Sequence, residues 1–397
     1  MDYVGYVDEI SRFCVAGWVA DRDDWTKSQT VEILVKGRTR SFCKAEDFRR
    51  KLDELHPDAT GRYAFRFYFP NPLSIYDEHE ISVRVANSNY CLIQQRPTIP
   101  GVSADLDVSS HRPDGPVLLT TTGRTGSTAV MAVLSQHPSI IVAGTKPYEI
   151  ELGCYYAYAL RTLVAEGDHY RSLRTDNITA TDNRYAIGFN PYFKAGHSDV
   201  FKNPAALEEF MARRLPARLG SAFRDIILDY YEVVAKDQGT TNPIYFAEKT
   251  LPEPDSRRGI RFMFPKVREI VLIRDMRDVI CSSTSSSGTS FDRALDANTT
   301  AARQLLAIDN EKNPNIMFLR YEDFVLDNEK TLDRLFRFIG LSSIRSDEHG
   351  MNDLFARHAT SASPTASIGR WKQDLAAEQL KKCEVFGPFL DKFGYNS

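Results

Sequence analysis

The stretch VLLTTTGRTGSTAVMAVLSQHP, residues 117–138, prescribes a strand, a glycine-bearing turn and a helix. Val117, Leu118 and Leu119 form a short apolar run suited to a buried strand. Beyond the turn, Val130, Val133 and Leu134 fall at i, i+3 and i+4, one face of an amphipathic helix that Pro138 ends. Small residues between strand and helix let backbone N–H groups close on an anion, supported by the positive end of the helix dipole. Arg124 adds a fixed positive charge. The nucleoside triphosphate pattern G-x-x-x-x-G-K-[ST] is not met, because Gly126 is followed by Ser127 and Thr128 with no lysine. That counts against a magnesium-dependent triphosphatase. Many α/β proteins carry such a unit without any ligand, so the turn alone decides little.

From Val117 onward strands alternate with helices. REIVLIRD and NIMFLRYED read as strands, and NEKTLDRLFRFIGL as a helix with Leu332, Leu335, Phe336 and Ile339 at core spacing and Gly340 as its stop. Alternation of this kind implies a mostly parallel sheet covered by helices. Residues 1–95 instead alternate short β-rich runs, TVEILVKG, YAFRFYF and EISVRVAN, with turn-forming clusters, which favours an all-β sandwich. Trp18, beside β-formers, suits either a core or a ligand surface. Pro, Gly, Ser and Asp crowd the intervening stretch and make 96–116 the linker, leaving 117–397 as the second domain.

A chain of 397 residues with a formal net charge of −3 offers no global basis for binding nucleic acid, so any positive site must be local. The six cysteines, Cys14, Cys43, Cys91, Cys154, Cys281 and Cys383, show no close pairing and read as thiols of a reducing compartment. The start MDYVGYVDEISRF has no basic region followed by an apolar core, and no run reaches membrane-spanning length, which together point to the cytoplasm. No HExxH, close Cys/His pairing or acidic calcium loop indicates a metal.

A second anion site follows the apolar run Ile270 to Ile273, in RDMRDVICSS. Arg274 falls at the carboxyl edge of a strand, where ligands of open α/β sheets bind, and Ser282 lies eight residues on, about two helical turns away. Alone, Arg274, Asp275, Arg277 and Asp278 would equally read as a solvated charge cluster.

Together the two sites resemble the sulfotransferase family, over residues 117 to about 375. TGRTGSTAV looks like the family's 5′-phosphosulfate loop, with Arg124, Thr125, Gly126, Ser127 and Thr128 in it. LIRDMRDVICSS looks like its 3′-phosphate motif through Arg274 and Ser282, with Met276 where a proline is frequent. FLRYEDF, carrying Tyr321, resembles a strand-end motif, and SIGRWKQDL, carrying Gly369, Arg370 and Trp371, the segment that closes over the nucleotide. The resemblance implies a three-layer P-loop-like α/β fold. It implies 3′-phosphoadenosine 5′-phosphosulfate as donor, adenosine 3′,5′-bisphosphate as product and no metal. The N-terminal module resembles those attached to bacterial glycan-modifying transferases, which makes a saccharide or glycoconjugate hydroxyl the leading acceptor, with peripheral membrane contact if that acceptor is lipid-linked.

An alcohol acceptor needs a base within hydrogen-bond reach. AGTKPYEIELG supplies Glu149 and Glu151 after the first strand-turn-helix unit, and Glu149 best matches the family's glutamate base. YFAEKTLPEP supplies Lys249, similar to the family lysine that reaches the sulfuryl oxygens, with Glu248 to orient it. His197 remains a rival base, because the cytosolic branch uses histidine. Tyr155, Tyr156, Tyr158, Phe189, Tyr192 and Phe193 suit either sugar stacking or core packing. Two other functions stay open: a nucleoside or sugar kinase with a degenerate phosphate loop, and an inactive glycan-binding protein.

Overall fold

The computed structural model describes residues 2–49, 52–94, 98–102, 115–144, 147–165, 204–241, 243–344 and 363–395. They divide into two compact units, 1–105 with 159–219, and 106–158 with 220–397.

In the first unit nine short strands form two sheets. β1 (Tyr3–Ile10), β2 (Cys14–Asp21), β5 (Asp47–Phe48), β6 (Arg62–Tyr68) and β8 (Ile93–Gln94) order as β5-β6-β2-β1-β8. β3 (Thr30–Val35), β4 (Arg38–Lys44), β7 (His79–Val85) and β9 (Thr98–Ile99) order as β4-β3-β7-β9. All pairings are antiparallel except β1 with β8. Alternation puts Val7, Val15, Val19 and Phe65 of one sheet and Val31, Ile33, Ile81 and Val83 of the other into one buried cluster. Trp18 is half-buried against a smaller cluster around Tyr63 and Ala64.

The second unit is built on five parallel strands: β10 (Pro116–Thr121), β11 (Ile140–Val142), β12 (Tyr245–Thr250), β13 (Arg268–Ile273) and β14 (Ile316–Arg320). Their order is β11-β12-β10-β13-β14, so the chain changes direction across the sheet at β10. A central parallel strand is apolar on both faces, and every residue of β10 is buried. Leu119, Ile270 and Leu272 face one helical layer, α1 (Ser127–Leu134), α8 (Tyr321–Leu326) and α9 (Asn328–Ile339). Leu118 and Phe246 face the other, which comprises residues of α4 (Leu215–Asp237) and α5 (Pro254–Met263). Further along the sheet, Val271 and Ile273 pack on α6 (Met276–Ser287) and α7 (Phe291–Asp309). α2 (Leu152–Val164) follows β11, and the short α3 (Pro204–Glu209) falls within the first unit. This is the three-layer α/β fold expected from the alternation of elements. Gly340 ends α9 in the left-handed conformation, φ 80°, as its position predicts.

One buried ion network ties the layers together. Arg257 donates to Glu269 at 2.5 and 3.0 Å and to Glu311 at 2.8 Å, while the hydroxyl of Thr120 donates to Glu269 at 2.6 Å. Both Arg257 and Glu269 are buried, so losing one partner costs about 3–5 kcal/mol through the charge left behind. No described helix is long and apolar enough to cross a membrane.

Candidate active site

The carboxyl ends of β10, β12, β13 and β14 deliver the predicted residues to one place, the crevice where ligands of open α/β sheets bind. In the turn after β10, Thr125 is fully buried; its hydroxyl donates to the carbonyl of Thr122 at 2.9 Å and meets the hydroxyl of Thr121. Arg124 takes φ 67° and Gly126 φ 89°. At Gly126 the left-handed backbone is matched by a steric demand: a Cβ there would stand 2.5 Å from the ring of Tyr321. Gly126 gives α1 no side-chain cap, and a helix start without one can offer its first amides to an anion.

The turn after β13 carries the second site. Arg274 is buried, donating to the carbonyl of Arg124 at 3.0 Å and to that of Ser367 at 2.5 Å, with its guanidinium 4.5 Å from the centre of the Tyr321 ring. Its Nε is buried without a hydrogen-bond partner among the described residues. The Tyr321 hydroxyl meets that of Ser367 at 2.9 Å. Ser282, two turns into α6, accepts from Arg124 Nε at 3.1 Å, so the two phosphate motifs meet directly. Burial, then neighbouring Arg274 and Arg370, holds the Arg124 guanidinium below its ordinary pKa. Three converging guanidiniums, one with an unsatisfied buried N–H, fit a polyanionic nucleotide, whose charge would offset their mutual repulsion.

The segment Gly369–Trp371 is fastened by a residue that sequence reasoning missed. Asp278 accepts from the backbone N–H groups of Gly369 at 2.7 Å and Trp371 at 3.0 Å. Burial raises the pKa of its carboxyl, and the two N–H groups oppose that rise. The Trp371 ring lies 3.8 Å from the guanidinium of Arg277, which Asp275 holds at 2.7 Å. Asp278 and Ser282 are i, i+4 on α6, and that spacing was the available signal. Glu322 accepts from the Asp275 N–H at 3.1 Å, which ties this turn to the end of β14.

Lys249, near the end of β12 and level with Leu119 of β10, is buried. Its ammonium lies 3.4 Å from the Thr128 hydroxyl and 3.5 Å from Glu149 Oε1. Burial lowers its pKa, and Glu149 opposes the fall. Glu149 itself has a 57% exposed side chain, open to an incoming molecule. Glu151 is half-buried, and burial, followed by repulsion from Glu149, raises its pKa. Tyr148 and Glu151 have φ 64° and 52°, costing about 1 kcal/mol or more each. The expectation that Glu248 orients Lys249 is overturned. Adjacent strand residues face opposite ways, and Glu248 instead accepts from the Gly153 N–H at 2.8 Å and the Tyr231 hydroxyl at 2.7 Å. Thr128 and Glu149 are the groups that meet Lys249. His197, Phe189, Tyr192 and Phe193 lie outside the described residues.

Residues 116–345, more than half of the chain, match the model of the sulfotransferase family. No curated protein sequence matches the chain. Among solved structures, a sulfotransferase domain from the Synechococcus PCC 7002 olefin synthase shares 17% identity at a TM-score of 0.41, covering 72% of this chain and 98% of that one. Sulfotransferase STF9 from Mycobacterium avium shares 15% at 0.36, covering 70% and 76%, respectively. Mouse sulfotransferase SULT7A1, complexed with PAP, shares 11% at 0.36, covering 74% and 91%. At such scores the assignment rests on the family match, and by it the chain belongs to the sulfotransferase family.

Proposed function

We propose that the enzyme sulfates a hydroxyl of a saccharide or glycoconjugate in the cytoplasm. In this reading residues 117–397 are catalytic, 96–116 a linker and the β-sandwich of residues 1–95 an accessory. The observation that carries the donor side is the meeting of Arg124, Arg274 and Ser282 across the two turns. Arg124 through Thr128 hold the 5′-phosphosulfate, Arg274 and Ser282 the 3′-phosphate, and Tyr321 with Gly369, Arg370 and Trp371 the rest of the nucleotide. The donor supplies the sulfuryl group and leaves as adenosine 3′,5′-bisphosphate, with no metal required of the protein.

Sulfuryl transfer, like phosphoryl transfer, has a loose transition state with charge growing on the departing phosphate, so cations placed there supply most of the rate. Lys249 is that cation. Glu149 accepts the acceptor's hydroxyl proton as the new S–O bond forms. Glu151, neighbouring both, is the reserve candidate. The saccharide reading is supported by α2, where Tyr155 and Tyr158 follow Glu151 at i+4 and i+7 on one helical stripe. Their exposures of 66% and 38% leave ring surface for a sugar face.

Transfer of radiolabelled sulfate from the donor to heparosan and chitin oligosaccharides, trehalose and p-nitrophenol tests this. Label on a saccharide is the expected result. Label on the phenol alone overturns the acceptor class, and turnover of ATP with magnesium in place of the sulfate donor overturns the whole reading in favour of a kinase.

A further inference from the structure

Glu248 is a buried carboxylate beside the site that the chemistry leaves unused. It lies on β12 directly before Lys249, and strand alternation sends the two side chains to opposite faces of the sheet. Its two oxygens are each taken. Oε2 accepts from the Gly153 N–H at 2.8 Å, and Oε1 from the Tyr231 hydroxyl at 2.7 Å. Tyr231 is fixed in turn by its ring, which stacks on Phe246 of the same strand with centroids 4.1 Å apart.

Gly153 stands in the first turn of α2, where amides lack helical partners. Helix starts usually obtain a carboxylate or hydroxyl from their own N-cap. Here the carboxylate comes from a strand 95 residues away. Any other residue at 153 would push on the clamp, since a Cβ would stand 2.9 Å from Glu248 Oε2 and 3.2 Å from Ile260 Cγ1. Just before this anchored turn lies the segment Tyr148–Glu151, with left-handed backbone at both ends and Glu149 between them. A backbone held in that conformation persists only where its surroundings over-determine it.

We propose that Glu248 is a positioning residue: with Tyr231 it clamps the start of α2 and so registers the carboxylates of Glu149 and Glu151 against Lys249. Because Glu248 and Lys249 are neighbours on one strand, any displacement of β12 carries the cation and the base-bearing segment together. The base assignment belongs to the function proposed above, and the clamp itself is separable from it.

The test compares Glu248→Gln, which keeps the shape but removes the charge, with Tyr231→Phe and Glu149→Gln. Readouts are amide exchange over residues 147–156, affinity for adenosine 3′,5′-bisphosphate, and the rate of donor consumption with water or a saccharide as acceptor. In Glu248→Gln, exchange over that segment rises about ten-fold and donor consumption falls about ten-fold or more, because small misplacements at a reacting centre cost that much. Nucleotide affinity stays within about two-fold, since the donor contacts are elsewhere, and Tyr231→Phe shows the same pattern more weakly. In the Glu149→Gln background the Glu248→Gln change lowers the rate less than about two-fold further, because two residues acting through one step are not additive. Unchanged exchange overturns the clamp, as does nucleotide affinity falling in step with the rate, which would mark general destabilisation. A wild-type rate in Glu149→Gln overturns the base assignment instead, and the clamp is then decided by exchange and nucleotide affinity in Glu248→Gln.

Discussion

The two halves of the site are built differently. On the proposed nucleotide side Arg274, Asp278 and Ser282 are 4%, 0% and 2% exposed, and each is held by a named partner on another element. On the acceptor side Glu149 and Tyr155 are mostly exposed, and the intervening backbone is strained. The contrast teaches where the organisation has been done in advance. A nucleotide donor is the same molecule at every turnover, so preformed donors and buried cations bind it without reorganisation. In the proposed reading the acceptor side keeps its chemistry on a loop and a helix face, which can change without disturbing the sheet.

The sharpest way to break this division is Lys249→Ala, because Lys249 touches both halves. Sulfuryl transfer should fall about 100- to 1,000-fold, as for loss of one electrostatic donor to a transition state, while calorimetric affinity for adenosine 3′,5′-bisphosphate changes little. Arg274→Ala should act wholly on the nucleotide side. It removes two charge-assisted hydrogen bonds and a ring contact, and nucleotide affinity should fall about 100-fold, roughly 3 kcal/mol, by the same calorimetry.

Acidity sharpens the comparison further. The lowered pKa of Lys249 means that the ammonium is intact at lower pH and is lost as pH rises through a value below the ordinary lysine range. The rate should therefore show an alkaline limb. Over that window the unfolded chain holds the proton longer than the folded one, so this group makes stability rise with pH and unfolding does not cause the limb. In Glu149→Gln the limb should move to lower pH, since the carboxylate that helps hold the proton is gone; a pH–rate profile of both proteins decides it. The smallest effect belongs to Tyr155→Ala, which should raise the saccharide KM about three- to ten-fold and leave nucleotide binding and melting temperature unchanged.

What was readable from sequence follows the same boundary. The donor motifs were legible because strand-end glycines, arginines and serines sit within a few residues of one another, and the fold brings short apolar strands to one edge. The clamp on Gly369 and Trp371 was not, because Asp278 lies 91 and 93 residues from its partners and only the folded sheet brings them together. Glu248 was misread for a different reason. Its neighbour in sequence is its opposite across the sheet, and alternation, a rule available from the start, separates their tasks. Acceptor identity was illegible because exposed aromatics serve sugars and other flat partners alike.

The contact between Gly126 and Tyr321 has an evolutionary consequence. In the triphosphate pattern Gly126 stands as the glycine before the lysine, whose place Ser127 occupies ahead of Thr128, so the Gly126–Tyr321 contact closes only the space a side chain at 126 would take. The Tyr321 ring already fills that space, and the backbone there is left-handed. Any side chain at 126 therefore requires prior loss of Tyr321, and with it the hydroxyl contact to Ser367 and the ring beneath Arg274. The glycine of the loop is thus held by an incompatibility between two residues distant in sequence, one of them outside the loop itself.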